Sequence, residues 1–427
     1  MFWLVLTSML ALLATGTAVA YALGASSVLA FIASGNTQYL AIVPQRIFSQ
    51  IDVFALMAMP LFILAGEIMN RAGITKALVD LAMAILGRLK GGLGHVNIMA
   101  SVFFAGISGS AVADAAALSN TLVPAMVARG YKPLYAAAIT AASSVIGPII
   151  PPSIVMIFYG AVMQTSVAAL FVGGVIPGLM LALVLFMGNA WFAHRDDHPG
   201  GAGADIPAFW PTFWRALPAL SLPVIILGGI VFGVVTPTEA AALTVVAALA
   251  VGFWYGGLVK ADLSQSLVQT ASLTGAIFMI LGAVACFSWL AGHEQLPQRL
   301  AGFVTELGLG KTEYLLIINL IFVIAGMVLD PPVALALLVP LLGPPAVALG
   351  TDPVHLGIVL CLNLTIGLIT PPLGGCLLVV STVCKVEYWA LARAIVPFAV
   401  LEIILLLAIV LVPEFSLVLP RMFGLLR

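Results

Sequence analysis

Two apolar segments of this chain are interrupted by adjacent prolines in the same sequence context. The first is IGPIIPPSI (146–154) and the second is IGLITPPLG (366–374), 220 residues further on. A proline inside a helix removes a backbone donor and pushes aside the carbonyl four residues earlier. Each pair therefore predicts a broken helix, and the two breaks occupy matching places in the two halves of the chain.

Composition places these breaks in a membrane. Of the 427 residues, 63% are hydrophobic and 8% are charged, with a mean hydropathy of +1.21. Soluble domains carry about 25% charged residues, so the fold class predicted here is an all-α polytopic membrane protein. The alternating strands of an outer-membrane barrel are absent. A net charge of −1 without a basic stripe excludes a nucleic-acid partner.

The apolar segments predict transmembrane spans at 2–22, 24–43, 53–70, 134–163, 168–193, 218–235, 238–258, 270–291, 353–383 and 395–413. The first lacks a basic n-region, which favours a transmembrane helix over a signal peptide. The amphipathic stretch 75–92 predicts an interfacial helix. Between 93 and 130, two short apolar halves flank GISGSAVADA. This pattern indicates a re-entrant helical hairpin, because a break at membrane depth must be buried in protein.

The chain contains an internal duplication. Residues 105–153 and 325–373 are identical at 15 of 49 ungapped positions, and glycines and prolines carry much of the match. We therefore predict two repeats, 1–198 and 199–427, joined by the polar segment HRDDHPGGAGAD (194–205). Each contains three spans, an interfacial helix, a hairpin, a broken helix and one further span. The hairpins are predicted at about 93–130 and 314–350, and the broken helices at 134–163 and 353–383.

The basic residues predict the orientation of the repeats. Cytoplasmic ends of membrane proteins are enriched in Lys and Arg, and the base of the first hairpin carries Arg88, Lys90, Arg129 and Lys132. The second base instead combines Lys311 with Glu313 and Asp352. The first base is therefore predicted to face the cytoplasm and the second the outside, so that the repeats are inverted. In this arrangement the remaining cytoplasmic cations are Arg195, Lys260, Lys385 and Arg393.

The broken helices predict two cation sites. Pro151 should free the carbonyl of Gly147, and Pro371 that of Gly367. Transporters with inverted repeats hold sodium on such unwound carbonyls. Further oxygen ligands are expected from the hairpin tips, namely Gly106, Ser108 and Ser110 in the first and Gly326 in the second. The alternative is that the helix-breaking pairs, Pro151 with Pro152 and Pro371 with Pro372, only kink the helices for packing.

Five charged residues are candidates for a structural or a functional role. Asp114 and Asp330 lie in or near the hairpin tips, where an acid either binds a ligand or caps a helix. Glu67 is expected to end a helix at the interface, and Glu239 to cap a helix start. Arg46 is either a solvated loop residue or a partner for a substrate carboxylate, which a planar guanidinium can bind through two nitrogens.

Four sequence motifs resemble the large membrane subunit of tripartite ATP-independent periplasmic (TRAP) transporters. They are QRIFSQIDVFALMAMPLFILAGEIMNRAGI (45–74), FFAGISGSAVADAAAL (103–118), IGPIIPPS (146–153) and GMVLDPPVALALLVPLL (326–342). The resemblance covers essentially the whole chain. It implies an elevator-type transporter in a bacterial inner membrane and sodium-coupled import of an organic anion, usually a carboxylate. A periplasmic substrate-binding protein and a small four-helix membrane subunit are the implied partners, with Na⁺ as coupling ion and no other cofactor.

The resemblance also implies site residues. One sodium site would contain Gly106, Gly147, Ile150 and Ser153, and the other Gly326, Gly367, Thr370 and Leu373. Ser108, at the hairpin tip, is expected to be a further oxygen ligand of the first site. The candidate substrate contacts are Arg46, Ser108, Ser110 and Asp330. Pro332 departs from the family pattern, in which a smaller polar residue is common at this position.

Two other functions are compatible with parts of the sequence. SNT (119–121) resembles the hairpin-tip motif of sodium/divalent-anion symporters that need no binding protein, although the matching positions of the second repeat are VPL (339–341). GISG (106–109) matches a pattern of intramembrane serine proteases, which also need a histidine on another helix. The duplication favours a transporter, and no enzymatic activity is expected.

Overall fold

The computed structural model describes residues 2–35, 37–200, 206–255 and 258–426. The helices of the first half are α1 (Phe2–Ala14), α2 (Val19–Ala33), α3 (Val43–Ile51), α4 (Ala58–Arg71), α5 (Ile74–Leu86), α6 (Gly92–Ser108), α7 (Ala111–Ala128), α8 (Pro133–Ser144), α9 (Ile154–Met163) and α10 (Val167–Arg195). Short 3₁₀ turns, Thr37–Ile42 and Phe54–Met57, flank α3. Residues 201–205 of the predicted linker and the side chain of Lys260 lie outside the described part.

The second half has the same order of elements from its first hairpin arm onwards. Its helices are α11 (Phe209–Val231), α12 (Pro237–Trp254), α13 (Lys260–His293), α14 (Leu296–Glu306), α15 (Lys311–Gly326), α16 (Pro331–Ala348), α17 (Pro353–Gly367), α18 (Gly375–Cys384), α19 (Tyr388–Leu411) and α20 (Glu414–Met422). Helices α7 and α16 have 18 residues each and begin 220 residues apart.

Eight helical segments of the described chain are long and apolar enough to cross a membrane. They are Phe54–Arg71, Ala111–Ala128, Val167–Arg195, Phe209–Val231, Pro237–Trp254, Asp262–His293, Pro331–Ala348 and Tyr388–Leu411. The predicted spans at 2–22 and 24–43 are shorter in the structure, where α1 ends at Ala14 and α2 at Ala33. Gly16 and Gly35 follow them with φ of +82° and +73°, and a left-handed glycine ends a helix.

Both predicted hairpins and both predicted broken helices are present. The hairpins are α6–α7 and α15–α16, and the broken helices are α8–α9 and α17–α18. The intervening non-helical segments contain the two proline pairs, and both Pro–Pro bonds are cis. Residues 136–144 of α8 and 354–367 of α17 are buried throughout, so these two half-helices form the centre of the protein.

Each hairpin packs against both broken helices. Within its own half, α7 packs on α8 and α15 packs on α17. Across the halves, α7 packs on α18 and α16 packs on α9. Helices α12 and α13 pack mainly on the N-terminal helices, with α12 against α4 and α13 against α2, α3 and α4, and α13 also contacts α16. The hairpins and broken helices thus form one interlocked group beside a second group of helices.

Buried amides fasten each hairpin to its own broken helix. Asn97 of α6 donates to the Thr140 hydroxyl at 2.5 Å and accepts from the Ser143 hydroxyl at 3.0 Å. In the second half, Asn363 of α17 donates to the side-chain oxygen of Asn319 at 2.7 Å. Ser143 and Asn363 occupy the same repeat position. A buried amide left without a partner costs about 1–3 kcal/mol, so these bonds favour one register between hairpin and break.

Candidate cation site at the helix breaks

The tip of the first hairpin is a tight turn held by glycine and serine. Helix α6 ends at Ser108, and Gly109 follows with φ +59°. A Cβ at Gly109 would collide with the carbonyl oxygen of Pro152, so the position combines a left-handed backbone with close approach to the break. Ser110 then caps α7 by accepting a hydrogen bond from the Ala113 amide at 3.4 Å.

Behind this tip lies a buried carboxylate. Asp114 is fully buried and accepts a hydrogen bond from the Ser108 hydroxyl at 2.5 Å through Oδ1. Its second oxygen, Oδ2, has no hydrogen-bond partner among the described residues. In the described part of the chain, no basic side chain forms an ion pair with it. Because Ser110 already provides the side-chain cap of α7, capping does not account for Asp114.

The unpartnered oxygen of Asp114 lies against the first break. A Cβ added to Gly147 would overlap Oδ2, so this oxygen packs directly on the glycine. The Ile150 amide donates to Ile146 at 3.1 Å, and Pro151 has no amide hydrogen. Among the described residues no donor reaches the Gly147 carbonyl. Two buried residues that pack against each other, Asp114 and Gly147, therefore each carry an oxygen to which no described residue donates.

The other residues predicted for the first site have different partners. Ser153 is buried and caps α9, its hydroxyl accepting from the Met156 amide at 3.2 Å. Ile150 packs on Gly178 of α10. Gly106 faces away from the break, because a Cβ there would collide with the ring of Pro223 in α11.

The second site contains the predicted glycine pair in direct backbone contact. A Cβ on Gly326 would lie 3.2 Å from the Cα of Gly367 and 3.0 Å from the Leu364 carbonyl oxygen. The Gly374 amide further joins the break to the tip by donating to the Met327 carbonyl at 3.2 Å. The expectation that the Gly367 carbonyl is free is wrong, because the Thr370 amide donates to it at 3.0 Å. The chain forms a tighter turn there, using a donor three residues on.

The remaining oxygens of the second break are also hydrogen-bonded. The Thr370 hydroxyl donates to the Ile366 carbonyl at 2.7 Å. The hydroxyl of Tyr388 lies 2.8 Å from the Pro372 carbonyl oxygen and 2.9 Å from that of Leu373. No sequence pattern indicates Tyr388, because its counterpart in the first repeat is Ala168.

Asp330 does not cap α16. It occupies the N-cap position without a side-chain hydrogen bond, because the first two helical residues are Pro331 and Pro332, which have no amide hydrogen. Its Oδ1 and the Val112 side chain of the first hairpin both lie 4.0 Å from the position of a Cβ on Gly375. The two hairpin tips therefore approach each other at the start of α18.

The structure also shows the surroundings of the three other charged residues, Arg46, Glu67 and Glu239. Arg46 is exposed on α3, which is a helix and not the loop expected for the solvated alternative. Helix α3 packs on α13, and no hydrogen bond or ion pair joins Arg46 to another described residue. Glu67 pairs with Arg71 at 3.7 Å. Glu239 completes a capping box with Thr236, which is the expected helix cap.

The motifs for the two alternative functions are not placed as those functions need. SNT (119–121) lies inside α7, away from the tip, and Asn120 and Thr121 bond to carbonyls of their own helix. The Ser108 hydroxyl bonds to Asp114, and among the described residues no histidine contacts it. No group of three or more His, Cys, Asp or Glu in that part of the chain could hold a metal.

Paired hairpins facing two broken helices, with a buried carboxylate at one break, define a membrane transporter. The chain belongs to the TRAP large permease family, since the family described as "Tripartite ATP-independent periplasmic transporter, DctM component" matches residues 6–415. It is 38% identical to the sialic acid TRAP transporter large permease protein SiaM of Vibrio cholerae, over 92% of this chain and 93% of that protein. It is 36% identical to the C4-dicarboxylate TRAP transporter large permease protein DctM of Pseudomonas aeruginosa, over 94% and 93% respectively.

The fold is also similar to a solved structure. The crystal structure of the YdaH transporter of Alcanivorax borkumensis matches with a TM-score of 0.64, covering 88% of both chains at 13% identity. At this identity the match describes the fold alone. The family match, together with the membrane-spanning helices, makes the chain a multi-pass membrane subunit of a TRAP transporter.

Proposed function

We propose that this chain carries a small organic anion across the bacterial inner membrane together with sodium, and that a periplasmic binding protein delivers the anion. The observation that carries the proposal is the oxygen Oδ2 of Asp114, which is buried against Gly147 and has no hydrogen-bond partner in the described part of the chain. A buried carboxylate without a counter-charge is strongly disfavoured, so it must gain a cation or a proton.

The chemistry of the first site favours sodium. Its oxygens come from a carboxylate, a free backbone carbonyl and the hydroxyls of Ser108 and Ser153, all of which are hard donors. Unwound carbonyls beside half-helix ends hold sodium in other transporters with broken helices. Asp114 supplies a full negative charge, so we assign it as a ligand beside Gly147. The second site, around Gly326 and Gly367, would bind more weakly because it offers backbone oxygens and the Thr370 hydroxyl only.

Sodium at the tips would also prepare the site for an anion. A bound cation would offset the negative charges of Asp114 and Asp330 where the tips meet at Gly375. The substrate anion would then contact Ser108, Ser110 and the N-terminus of α7, which is the positive end of the helix dipole. Substrate binding would depend on sodium, which is the basis of coupling. Arg46 remains a proposed contact that would require α3 to approach the tips.

We propose that the interlocked group of hairpins and broken helices is the moving body of an elevator mechanism. It would slide against α1–α4 and α11–α13. The relatives transport sialic acid and C4-dicarboxylates, as their names state, which supports a carboxylate as substrate. The family description is tripartite. This description supports a periplasmic binding protein and a small membrane subunit as partners, and we propose that the small subunit has four helices and completes the stationary part.

Thermal unfolding of the purified chain tests sodium binding without knowledge of the substrate. Unfolding would be followed in NaCl, KCl and choline chloride at matched ionic strength, at two pH values. A ligand that binds only the folded state raises stability with its concentration. We expect a saturable shift with sodium alone. Equal curves in the three salts, with stability that changes with pH instead, would indicate that Asp114 carries a proton.

Reconstitution tests the dependence on partners. The chain would be placed in liposomes with its small subunit, a sodium gradient and candidate carboxylates, with and without a candidate periplasmic binding protein. Uptake that needs both the gradient and the binding protein supports the proposal. Uptake by this chain alone would identify a self-sufficient symporter.

A further inference from the structure

A basic cavity lies at the junction of the α7–α8 turn, the end of α10 and the beginning of α19. Its volume is about 500 Å³, and its charged lining residues are Lys132, Arg195, Asp196 and Arg393. The orientation predicted from the basic residues places this junction on the cytoplasmic side. None of these residues belongs to the helix breaks, so the cavity is separate from the ion site.

Two of the cations in this cavity remain uncompensated. Arg195 pairs with Asp196, with 3.0 Å between Nε and Oδ1. Lys132 and Arg393 have no ion-pair partner among the described residues, and Arg393 donates only to the Trp389 carbonyl one turn earlier. The cavity therefore carries a positive charge that an anionic group would neutralise.

The cavity continues into an apolar groove. A second cavity of about 540 Å³ runs between α10 and α19, and Phe192 and Pro397 line both. Its wall on α19 extends to Ala408. Eleven residues at 1.5 Å each give roughly 16 Å, about the thickness of one leaflet of the hydrocarbon core. The groove is open, since Met187 is 65% and Ile404 58% exposed.

Aromatic residues place the basic end of the groove at headgroup depth. Trp191 and Trp389 are each 58% exposed beside the cavity, and exposed tryptophans mark the membrane–water interface. The guanidinium of Arg195 lies 4.8 Å from the Trp191 ring centre. A molecule that fills both cavities needs a negative group at this depth and an apolar chain extending towards the membrane centre.

We propose that the cavity and the groove together bind one anionic phospholipid, with its phosphate on Lys132 and Arg393 and an acyl chain between α10 and α19. Basic pockets between transmembrane helices on the cytoplasmic side bind such headgroups. This site is independent of the proposed sodium coupling. Because α19 packs on α8, α17 and α18, the lipid contacts the same helix that supports both breaks.

The test is lipid binding by the purified, delipidated chain in detergent, measured by native mass spectrometry and by the shift in unfolding temperature. The probes are phosphatidylglycerol, phosphatidylcholine with the same acyl chains, and glycerol 3-phosphate. We expect phosphatidylglycerol to bind at least tenfold more tightly than phosphatidylcholine, and glycerol 3-phosphate to have no effect. Equal binding of the two lipids overturns the proposal. A shift with glycerol 3-phosphate equal to that with phosphatidylglycerol identifies a site for soluble anions, which also overturns it.

Variants separate the site from general surface charge. The double variant Lys132→Gln with Arg393→Gln removes two exposed cations. Each basic residue near the membrane surface contributes about 1 kcal/mol to the attraction of anionic lipid, so the affinity for phosphatidylglycerol should fall tenfold or more. Arg88→Gln is the matched control, exposed and predicted on the same side but outside the cavity. An equal loss in the control shows that surface charge alone attracts the lipid, and the site is rejected.

A third variant tests the apolar part. Ala408→Phe places a large side chain in the groove and should reduce binding of both lipids while unfolding cooperativity is kept. Unchanged phosphatidylglycerol binding in this variant excludes the groove. The same measurement on the chain purified with its small subunit completes the test, since loss of phosphatidylglycerol there shows that a protein covers this face.

Discussion

The two breaks share a backbone plan but differ in what surrounds them. At the first, Gly147 packs on the free oxygen of Asp114, its carbonyl has no donor among the described residues, and the proline pair is buried. At the second, Gly367 packs on backbone, its carbonyl is hydrogen-bonded, and Pro372 is exposed. The two repeats have thus kept the same turn but differ in the chemical groups that surround it. The first break has a buried carboxylate beside it, whereas the second has backbone oxygens and a threonine hydroxyl, and its acid, Asp330, is exposed at the hairpin tip.

The largest expected effect is on folding, at the second break. Gly367→Ala places a Cβ inside the backbone of Gly326, so α15 must move away from α17. Overpacking of this kind costs about 1–3 kcal/mol, and we expect the upper end of that range in the free energy of unfolding. Gly228→Ala, where the added methyl has open space, should be near neutral. Equal stability of the two variants would contradict the backbone contact.

The next effect separates the sites by charge. Asp114→Asn keeps the shape of the side chain but removes its charge, and we expect the sodium concentration needed for half-maximal stabilisation to rise at least tenfold, or about 1.4 kcal/mol. Asp330→Asn, at the exposed second tip, is the control and should change it much less. If the two variants respond alike, the first site is not the stronger one.

A smaller effect is expected from the residue found only at the second break. Tyr388→Phe keeps the ring and removes the hydroxyl that lies by the carbonyls of Pro372 and Leu373. Loss of one such hydrogen bond costs about 1 kcal/mol of unfolding free energy. Sodium titration of the same variant should show unchanged affinity at the first, stronger site. A lower sodium affinity at that site would mean that the two breaks are coupled.

The smallest effect concerns the hairpin bases. Lys90, before the first hairpin, donates to Asp197 at 2.7 Å, and this hydrogen bond and charge hold the pKa of Asp197 below its usual range. A lowered folded pKa gives stability that is present above the unfolded value of about 3.9 and is lost as pH falls through the folded value. Both side chains are exposed, so the contribution is small. Acid titration of unfolding should show this loss in the wild type and its absence in Asp197→Asn.

The positions of the elements could be predicted from sequence because they depend on glycine and proline. Both hairpins and both broken helices occur where the punctuating residues indicated. The first two predicted spans are longer than the helices, because Thr15-Gly16 and Ser34-Gly35 end the helices before the apolar sequence ends. Those dipeptides lie within continuous apolar sequence, where hydropathy outweighs a single turn signal.

The site was predictable only in part, for a different reason. The family resemblance grouped Gly326 with Gly367, and these two residues are in backbone contact. It also grouped Gly106 with Gly147, whereas Gly106 packs on Pro223. The juxtaposition of Asp114 with Gly147 depends on how deeply the tip inserts, which no local pattern encodes. Tyr388 has no counterpart in the first repeat, so comparison of the halves could not find it.

The crossed packing of the hairpins has a consequence for how such a chain can exist. Because α7 rests on α18 and α16 rests on α9, each half supplies a supporting surface that the other half lacks. Two separate chains exchanging these arms would form a domain-swapped dimer, and here one polypeptide contains both members of that exchange. The two repeats therefore arose by duplication of one segment, but each needs the other's packing surfaces to fold. Each half, expressed alone, leaves uncovered the face of its second hairpin arm that packs on the other half's broken helix, unless it pairs with another copy.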